Sequence, residues 1–315
     1  MPEDGRRPAD SPPIYGGRIP GTDNPAFTLQ MPAASPIPVL VAAPHGGRSY
    51  PEGVTSAMRE PAWSALRLED RYIDRVAAAL ARETGAVLLT AQAPRAMLDL
   101  NRSDEDVDWG MVTGAKPAAP RNSFANRRAR SGLGLVPRRL SGLGELWRRP
   151  LTRAELDRRI EGIHRPYHRM LAGQLEHLRD QWGAALLIDL HSMPPLRDGP
   201  DGAAGAHFVI GDRFGTSCDA RLSSIALEAL GGEGGVAVHN RPYSGGYVLD
   251  RHAAPSRDIH AMQVEVCRSI YLDRAMREAG PGLPALVGRL ARAVRLLAEE
   301  IAQIGRGHRL PIAAE

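Results

Sequence analysis

Two histidines in this chain stand at the same kind of place. In LVAAPHGGRSYP (residues 40–51) His45 follows a short apolar run closed by Pro44, and in IDLHSMPP (188–195) His191 follows another, stopped by Pro194 and Pro195. Neutral imidazole is a good ligand for zinc, and catalytic zinc sites commonly use three protein ligands, leaving a position for water. A third ligand of the carboxylate type is on offer in RLEDRYID (67–74) as Glu69, Asp70 or Asp74, which the pattern puts close together on a helix; the plain alternative is solvation, or pairing with Arg71 or Arg75. Glu265 stands in QVEVC (263–267), an otherwise apolar run. A carboxylate there is costly to bury unless paired or functional. Facing a metal site it is a candidate general base, its pKa pushed up by desolvation and pulled down by the cation; the alternative is an ion pair with Arg268 or another arginine. The plain account of each histidine is a satisfied polar residue near the core.

These side chains need a frame that brings them to one point. PVLVAAP (38–44), GAVLLTAQ (85–92) and AALLIDLHSMPP (184–195) read as buried strands, AHFVIGDRFG (206–215) as a strand and turn, and AMQVEVCRSIYLD (261–273) as a last, alternating strand. Helical spacing marks 61–84 as one helix, 152–183 as a long amphipathic stretch with a capping box at Thr152/Glu155 and a kink or split at Pro166, and roughly 281–304 as a C-terminal helix. Strands alternating with helices predict an α/β fold of three layers, α/β/α, around a mostly parallel or mixed sheet. In such sheets ligands bind outside the carboxyl ends of the strands. His45 and His191 fall at two of those ends, with Gly46 and Gly47 expected to leave room for a substrate.

Composition narrows the classes. The 315 residues, 43% hydrophobic and 24% charged, suit one large domain, 25–315, after a loose tail at 1–24 and with an Arg/Gly-rich insertion at about 110–150. No run approaches the roughly 20 apolar residues of a membrane span, and the N-terminus lacks an apolar leader, so a cytoplasmic protein without membrane partners is expected. Cys218 and Cys267 lie far apart and form no CxxC pair, which argues against a disulfide framework or a cysteine zinc site. The net charge of +4 is carried almost wholly by arginine, Lys116 being the single lysine, and acids interleave throughout. Residues 121–149 concentrate positive charge without a nucleic-acid module or interleaved aromatics, so a cleft attracting a small anion is favoured over nucleic acid. His164 and His168, four apart in HRPYH, read as surface or packing residues; His252 and His260 are open to a part in substrate binding.

PVLVAAPHGGRSYP, LEDRYIDRV, RAMLDLNRS, IDLHSMPP, NRPYSGGYVLDRH and HAMQVEVCRSIYLD occur in this order. In that succession the chain resembles the N-formylglutamate amidohydrolase family from about Pro25 to the C-terminal helix. The resemblance implies a phosphorylase/hydrolase-like fold of the zinc carboxypeptidase kind. It implies hydrolysis of an N-acyl amino acid, typically N-formyl-L-glutamate to formate and glutamate in histidine degradation. The metal ligands it implies are His45, Asp70 and His191 around one Zn2+, with Asp70 favoured over Glu69, and the catalytic residue is Glu265. Substrate contacts are expected at Arg102, Asn240, Arg241, Tyr243, Gly245 and Gly246, the arginines pairing with substrate carboxylates. The long 110–150 segment departs from a plain deformylase and is a candidate lid. An oligomer is compatible with all of this, and two other functions stay in play: a zinc amidase of larger, cell-wall-derived peptides, and a basic binding protein without catalysis.

Overall fold

A computed structural model describes residues 11–32, 35–114, 127–197, 205–232 and 234–307. Eight strands form one sheet: β1 (Ile14–Gly16), β2 (Phe27–Gln30), β3 (Val39–Ala43), β4 (Val87–Ala91), β5 (Ala185–Met193), β6 (Phe208–Gly211), β7 (Ala237–His239) and β8 (Ile259–Cys267), in the order β1-β2-β4-β3-β5-β8-β6-β7. β4, β3, β5 and β8 are parallel. β2 and β6 join them antiparallel, so the sheet is mixed. The four parallel strands are buried along their whole length, as Val/Leu/Ala-rich runs covered on both faces should be.

Alternation along the strands sorts the core into two halves. Val41, Leu186, Ile188 and Val264 face α2 (Ile73–Thr84), α4 (Ala220–Gly231) and α6 (Leu283–Gly307). Leu40, Leu187 and Ala261 face the other way, onto α3 (Arg165–Trp182) and α5 (Tyr247–His252). The architecture is therefore the three-layer α/β/α that the sequence pattern predicts.

Three local expectations change. The single helix over 61–84 is two: α1 (Pro61–Leu68) ends at Glu69, whose backbone is extended (φ −69°, ψ 141°), and α2 begins after Tyr72, which is left-handed at φ 58°. Asp70 thus sits in a break, not on a helix, and its N–H donates to His45 O at 3.0 Å. Pro166 does not split the 152–183 stretch. The helix Arg153–Arg159, capped by Thr152 and Glu155 as expected, runs through a wider turn at Ile160–His164 into α3; Pro166, with no N–H to donate, follows that turn, and Gly162 O accepts from Arg18 N at 2.8 Å instead. Residues 11–24, assigned to the tail by composition, supply edge strand β1, which pairs with β2; residues 1–10 lie outside the described residues.

Candidate metal centre and active site

The parallel register explains why distant residues meet. His191 pairs with Glu265 and Asp189 with Gln263 across β5 and β8, so all four side chains share one face near the carboxyl ends of the strands. β3 lies on the other side of β5, and its exit delivers His45 to the same spot. The break before α2 adds Asp70.

His45 Nδ1 lies 3.1 Å from His191 Nδ1, and Asp70 Oδ2 lies 3.0 Å from His191 Nδ1 and 3.5 Å from His45 Nδ1. All three residues are buried and form the one such cluster of potential metal ligands among the described residues. The opposite nitrogen of each ring is engaged: His45 Nε2 is 2.7 Å from Asp99 Oδ1, and His191 Nε2 is 2.9 Å from Asp189 Oδ2. A carboxylate accepts only, so each Nε2 carries a proton and donates; in the neutral rings both Nδ1 lone pairs face Asp70, where a proton on His191 sits in the absence of a cation. Three acceptors converging in a dry pocket repel one another unless a proton or a cation sits between them. A carboxylate behind each histidine is the support that orients metal-binding imidazole. The donor set fits a divalent ion such as zinc.

The charge balance agrees. Burial alone would raise the Asp70 carboxyl, but His191 and His45 overcome it and hold its pKa well below the usual carboxylate range. Burial would lower the His191 imidazole, yet Asp189 and Asp70 hold it well above its ordinary value. Asp99 is likewise held low against burial by Arg95 and His45; its Oδ2 accepts from Arg95 Nε at 3.0 Å. Glu265 goes the other way: burial, with Asp70 and Asp189 adding negative charge, pushes its pKa up to about 7 against the pull of His191 and Arg95. Its Oε1 accepts from Gln263 Nε2 at 2.9 Å. The ion pair with Arg268 does not form. Arg268 instead donates to Asp70 Oδ1 at 3.2 Å and to Ser192 Oγ at 3.1 Å.

The alternatives to Asp70 have other partners. Glu69 pairs with Arg71 at 3.1 Å, and Asp74 forms a two-pronged pair with Arg48, both bonds 2.7 Å. Arg48 and Arg71 therefore occupy the acids that the helix pattern had grouped with Asp70.

A cavity of about 770 Å³ opens over the centre, with His45, Asp70, His191 and Glu265 in its wall. Arginines 67, 95, 102, 128, 213, 268 and 277 line it, against the two carboxylates of Asp70 and Glu265. Arg102, Tyr243, Gly245 and Gly246 are in the wall; Asn240 and Arg241 are not. Asn240 instead anchors the turn at 212–214, accepting from Asp212 N at 3.0 Å and donating to Asp212 Oδ1 at 2.8 Å, while Arg241 is exposed. Gly246 is needed where it stands: an added methyl would come within 2.5 Å of Asn101 Oδ1. Gly46 and Gly47 do not make room for substrate. A methyl on Gly47 would fall 2.2 Å from Ala93 O and one on Gly46 2.8 Å from Asp74 Cβ, so these glycines let β3's exit pack on its neighbours.

Within the insertion, residues 115–126 lie outside the described residues. Its described part reaches the cavity through Arg128 and Leu133, and Leu133 O accepts from Arg102 Nε at 3.0 Å. His164 and His168 are buried packing residues, not surface ones; His164 Nε2 contacts Arg102 O at 2.9 Å and His168 Nδ1 contacts His252 Nε2 at 2.9 Å. His260 Nδ1 accepts from Asp219 N at 3.2 Å and does not line the cavity. Asp99, Asn101, Gln263 and Arg95 escaped the sequence reading, which puts Asp189 on one strand face with His191 but gives it no role. The i, i+2 spacing of Gln263 with Glu265, same-face positions on a strand, was the signal for one of them.

Residues 37–272 match the family model of N-formylglutamate amidohydrolase. The N-formylglutamate deformylase of Pseudomonas putida is 33% identical over 249 residues, covering 75% of this chain and 82% of that protein. The P. aeruginosa deformylase is 32% identical, covering 75% and 83%. The crystal structure of N-formylglutamate amidohydrolase from Ralstonia eutropha JMP134 superposes with a TM-score of 0.76 at 31% identity, over 90% of this chain and 99% of that one. Atu2144 of Agrobacterium tumefaciens shares the fold, with a TM-score of 0.63 at 18% identity, over 88% and 96%.

Proposed function

This chain belongs to the N-formylglutamate amidohydrolase family, hydrolases of a linear amide, and on that footing we propose that it converts N-formyl-L-glutamate to formate and L-glutamate with one zinc ion held by His45, Asp70 and His191. The observation that carries the proposal is the meeting of two Nδ1 atoms and one carboxylate oxygen beside a buried glutamate that forms no ion pair among the described residues. Zinc held there would polarise the amide carbonyl and acidify a water molecule.

The chain's own residues do the rest. Glu265, whose carboxyl burial pushes up to about 7 before a cation is bound, stands where it can take a proton from water and return it to the departing amide nitrogen. Gln263 keeps its carboxylate aimed by holding Oε1. Arg102 has no carboxylate partner among the described residues; two of its nitrogens are held by Leu133 O and Asn101 O, which leaves the rest of the guanidinium for a substrate carboxylate. The excess of arginine in the cavity suits a substrate carrying two carboxylates. Tyr243 and the Gly245–Gly246 backbone close the same wall.

The test is metal content and formate release on the purified chain. About one zinc per molecule, loss of activity on chelation and recovery with zinc are expected, with N-formyl-L-glutamate preferred over N-formyl amino acids lacking the distal carboxylate. Full activity after complete metal removal would reject the proposal.

A further inference from the structure

A second cavity, of about 470 Å³, shares no lining residue with the first. Its wall includes Arg159, the last residue of the helix Arg153–Arg159, only 7% exposed. Arg159 Nη1 donates to Met97 O at 2.9 Å, and its guanidinium carbon lies 5.4 Å from the Trp147 ring centre. A guanidinium carries five N–H donors, and these two contacts use few of them.

Among the described residues no carboxylate pairs with Arg159. The acids in this wall are Glu52 and Glu155. Glu155 is already taken by Arg149 at 2.8 Å and by Thr152 N at 2.8 Å, and Glu52 is exposed at the rim. Arg149 and Arg158 add two more positive charges to the same wall. Buried arginine seldom lacks a directly bonded counter-ion, and here Glu155 offsets the charge only through space while bonded to Arg149. Burial also depresses the Arg159 pKa to about 10. The remaining wall is apolar, with Val54, Met97, Leu151 and the Trp147 ring.

We propose that this cavity is a binding site for a small organic carboxylate, its two oxygens accepting from Arg159 and its short apolar chain lying against Val54, Leu151 and Trp147. The planar fork of a guanidinium matches a carboxylate with two parallel hydrogen bonds. The site is separate from catalysis but adjoins it along the chain: Met97 O, held by Arg159, lies between Arg95 and Asp99, which support His45.

Calorimetric titration of the whole protein with sodium butyrate, against sodium chloride at equal ionic strength, tests this. Saturable binding is expected, weakened at least about tenfold in Arg159→Met. Because Arg159→Met removes a buried contact to Met97, Gly53→Phe provides an independent arm. Gly53 lines the cavity, a Cβ there meets nothing within 4 Å, and the ring blocks the site with Arg159 intact. Thermal melting confirms that each variant folds. Absence of saturable butyrate binding to the wild type overturns the proposal. So does a folded variant of either kind that binds butyrate as tightly as the wild type, which would put the ligand in the catalytic cavity.

Discussion

Replacing Glu265 by glutamine should move stability and activity in opposite directions. In the metal-free protein, burial raises this carboxyl from the ordinary 4.5 to about 7. At about 1.4 kcal/mol per tenfold in proton affinity, the folded protein disfavours the ionised form by about 3 kcal/mol. The folded state therefore binds this proton more tightly than the unfolded chain does. The resulting stabilisation is fully present below pH 4.5, declines as pH rises between 4.5 and about 7, and is gone above that. Glutamine carries no charge to desolvate, and its carbonyl oxygen can still accept from Gln263 Nε2. Chelated Glu265→Gln at pH 8 is then expected to be more stable than chelated wild type, by up to about 3 kcal/mol, with the gain vanishing towards pH 4.5. Zinc-loaded Glu265→Gln should lose about 10²–10⁴ in kcat, the usual size of a general-base contribution. Urea denaturation of the chelated proteins at pH 5 and pH 8, with formate release by the loaded ones, reads both effects. A variant less stable than wild type at pH 8, or one within tenfold of wild-type kcat, refutes the assignment of Glu265 as a buried, unpaired base.

Asp99→Asn removes the carboxylate behind His45 and should weaken zinc binding by about 10–100-fold in chelator competition; Asp74→Asn, whose parent acid faces Arg48, should leave it unchanged. Gly246→Ala brings a methyl within 2.5 Å of Asn101 Oδ1, and Asn101 in turn bonds Gln263 and Val248. Steady-state kinetics should show a fall in kcat/KM, and melting a loss of about 1–3 kcal/mol from overpacking. Burial depresses the His252 pKa from 6.5 to about 3, so below pH 6.5 the unfolded chain takes up a proton that the folded one refuses. That group should cost about 1.4 kcal/mol of stability per pH unit between those limits. Denaturation midpoints of His252→Gln at pH 7, 6 and 5 should accordingly fall less steeply than those of the wild type.

Much of the frame was legible locally. A run such as PVLVAAP fits a strand covered on both faces, because each of its side chains needs an apolar neighbour and prolines close it at either end. The amphipathic repeats around those runs require helices on both faces, so the three layers follow. Histidine at the end of two such strands carries the metal chemistry as far as local pattern reaches. What local pattern misplaced were residues whose roles depend on backbone breaks and on partners far away. Helical spacing carried Glu69, Asp70 and Asp74 onto one helix, and nothing in it distinguishes three neighbouring acids. The NRPY segment looked like a continuous substrate contact, yet Asn240 is turned to Asp212 and only the residues from Pro242 onward reach the wall.

The sequence by itself determined which residue types exist to bind a metal, take a proton and attract an anion, and which strands would be buried to carry them. Only the tertiary structure decided which of those residues meet. The order β4-β3-β5-β8 puts the exits of β3 and β5 side by side, and the break at Tyr72 turns Asp70 inward while Arg71 draws Glu69 away. Side-chain periodicity records a residue's face relative to its own element. Convergence of His45, Asp70, His191 and Glu265 is a property of long-range packing between elements, and no local spacing encodes it.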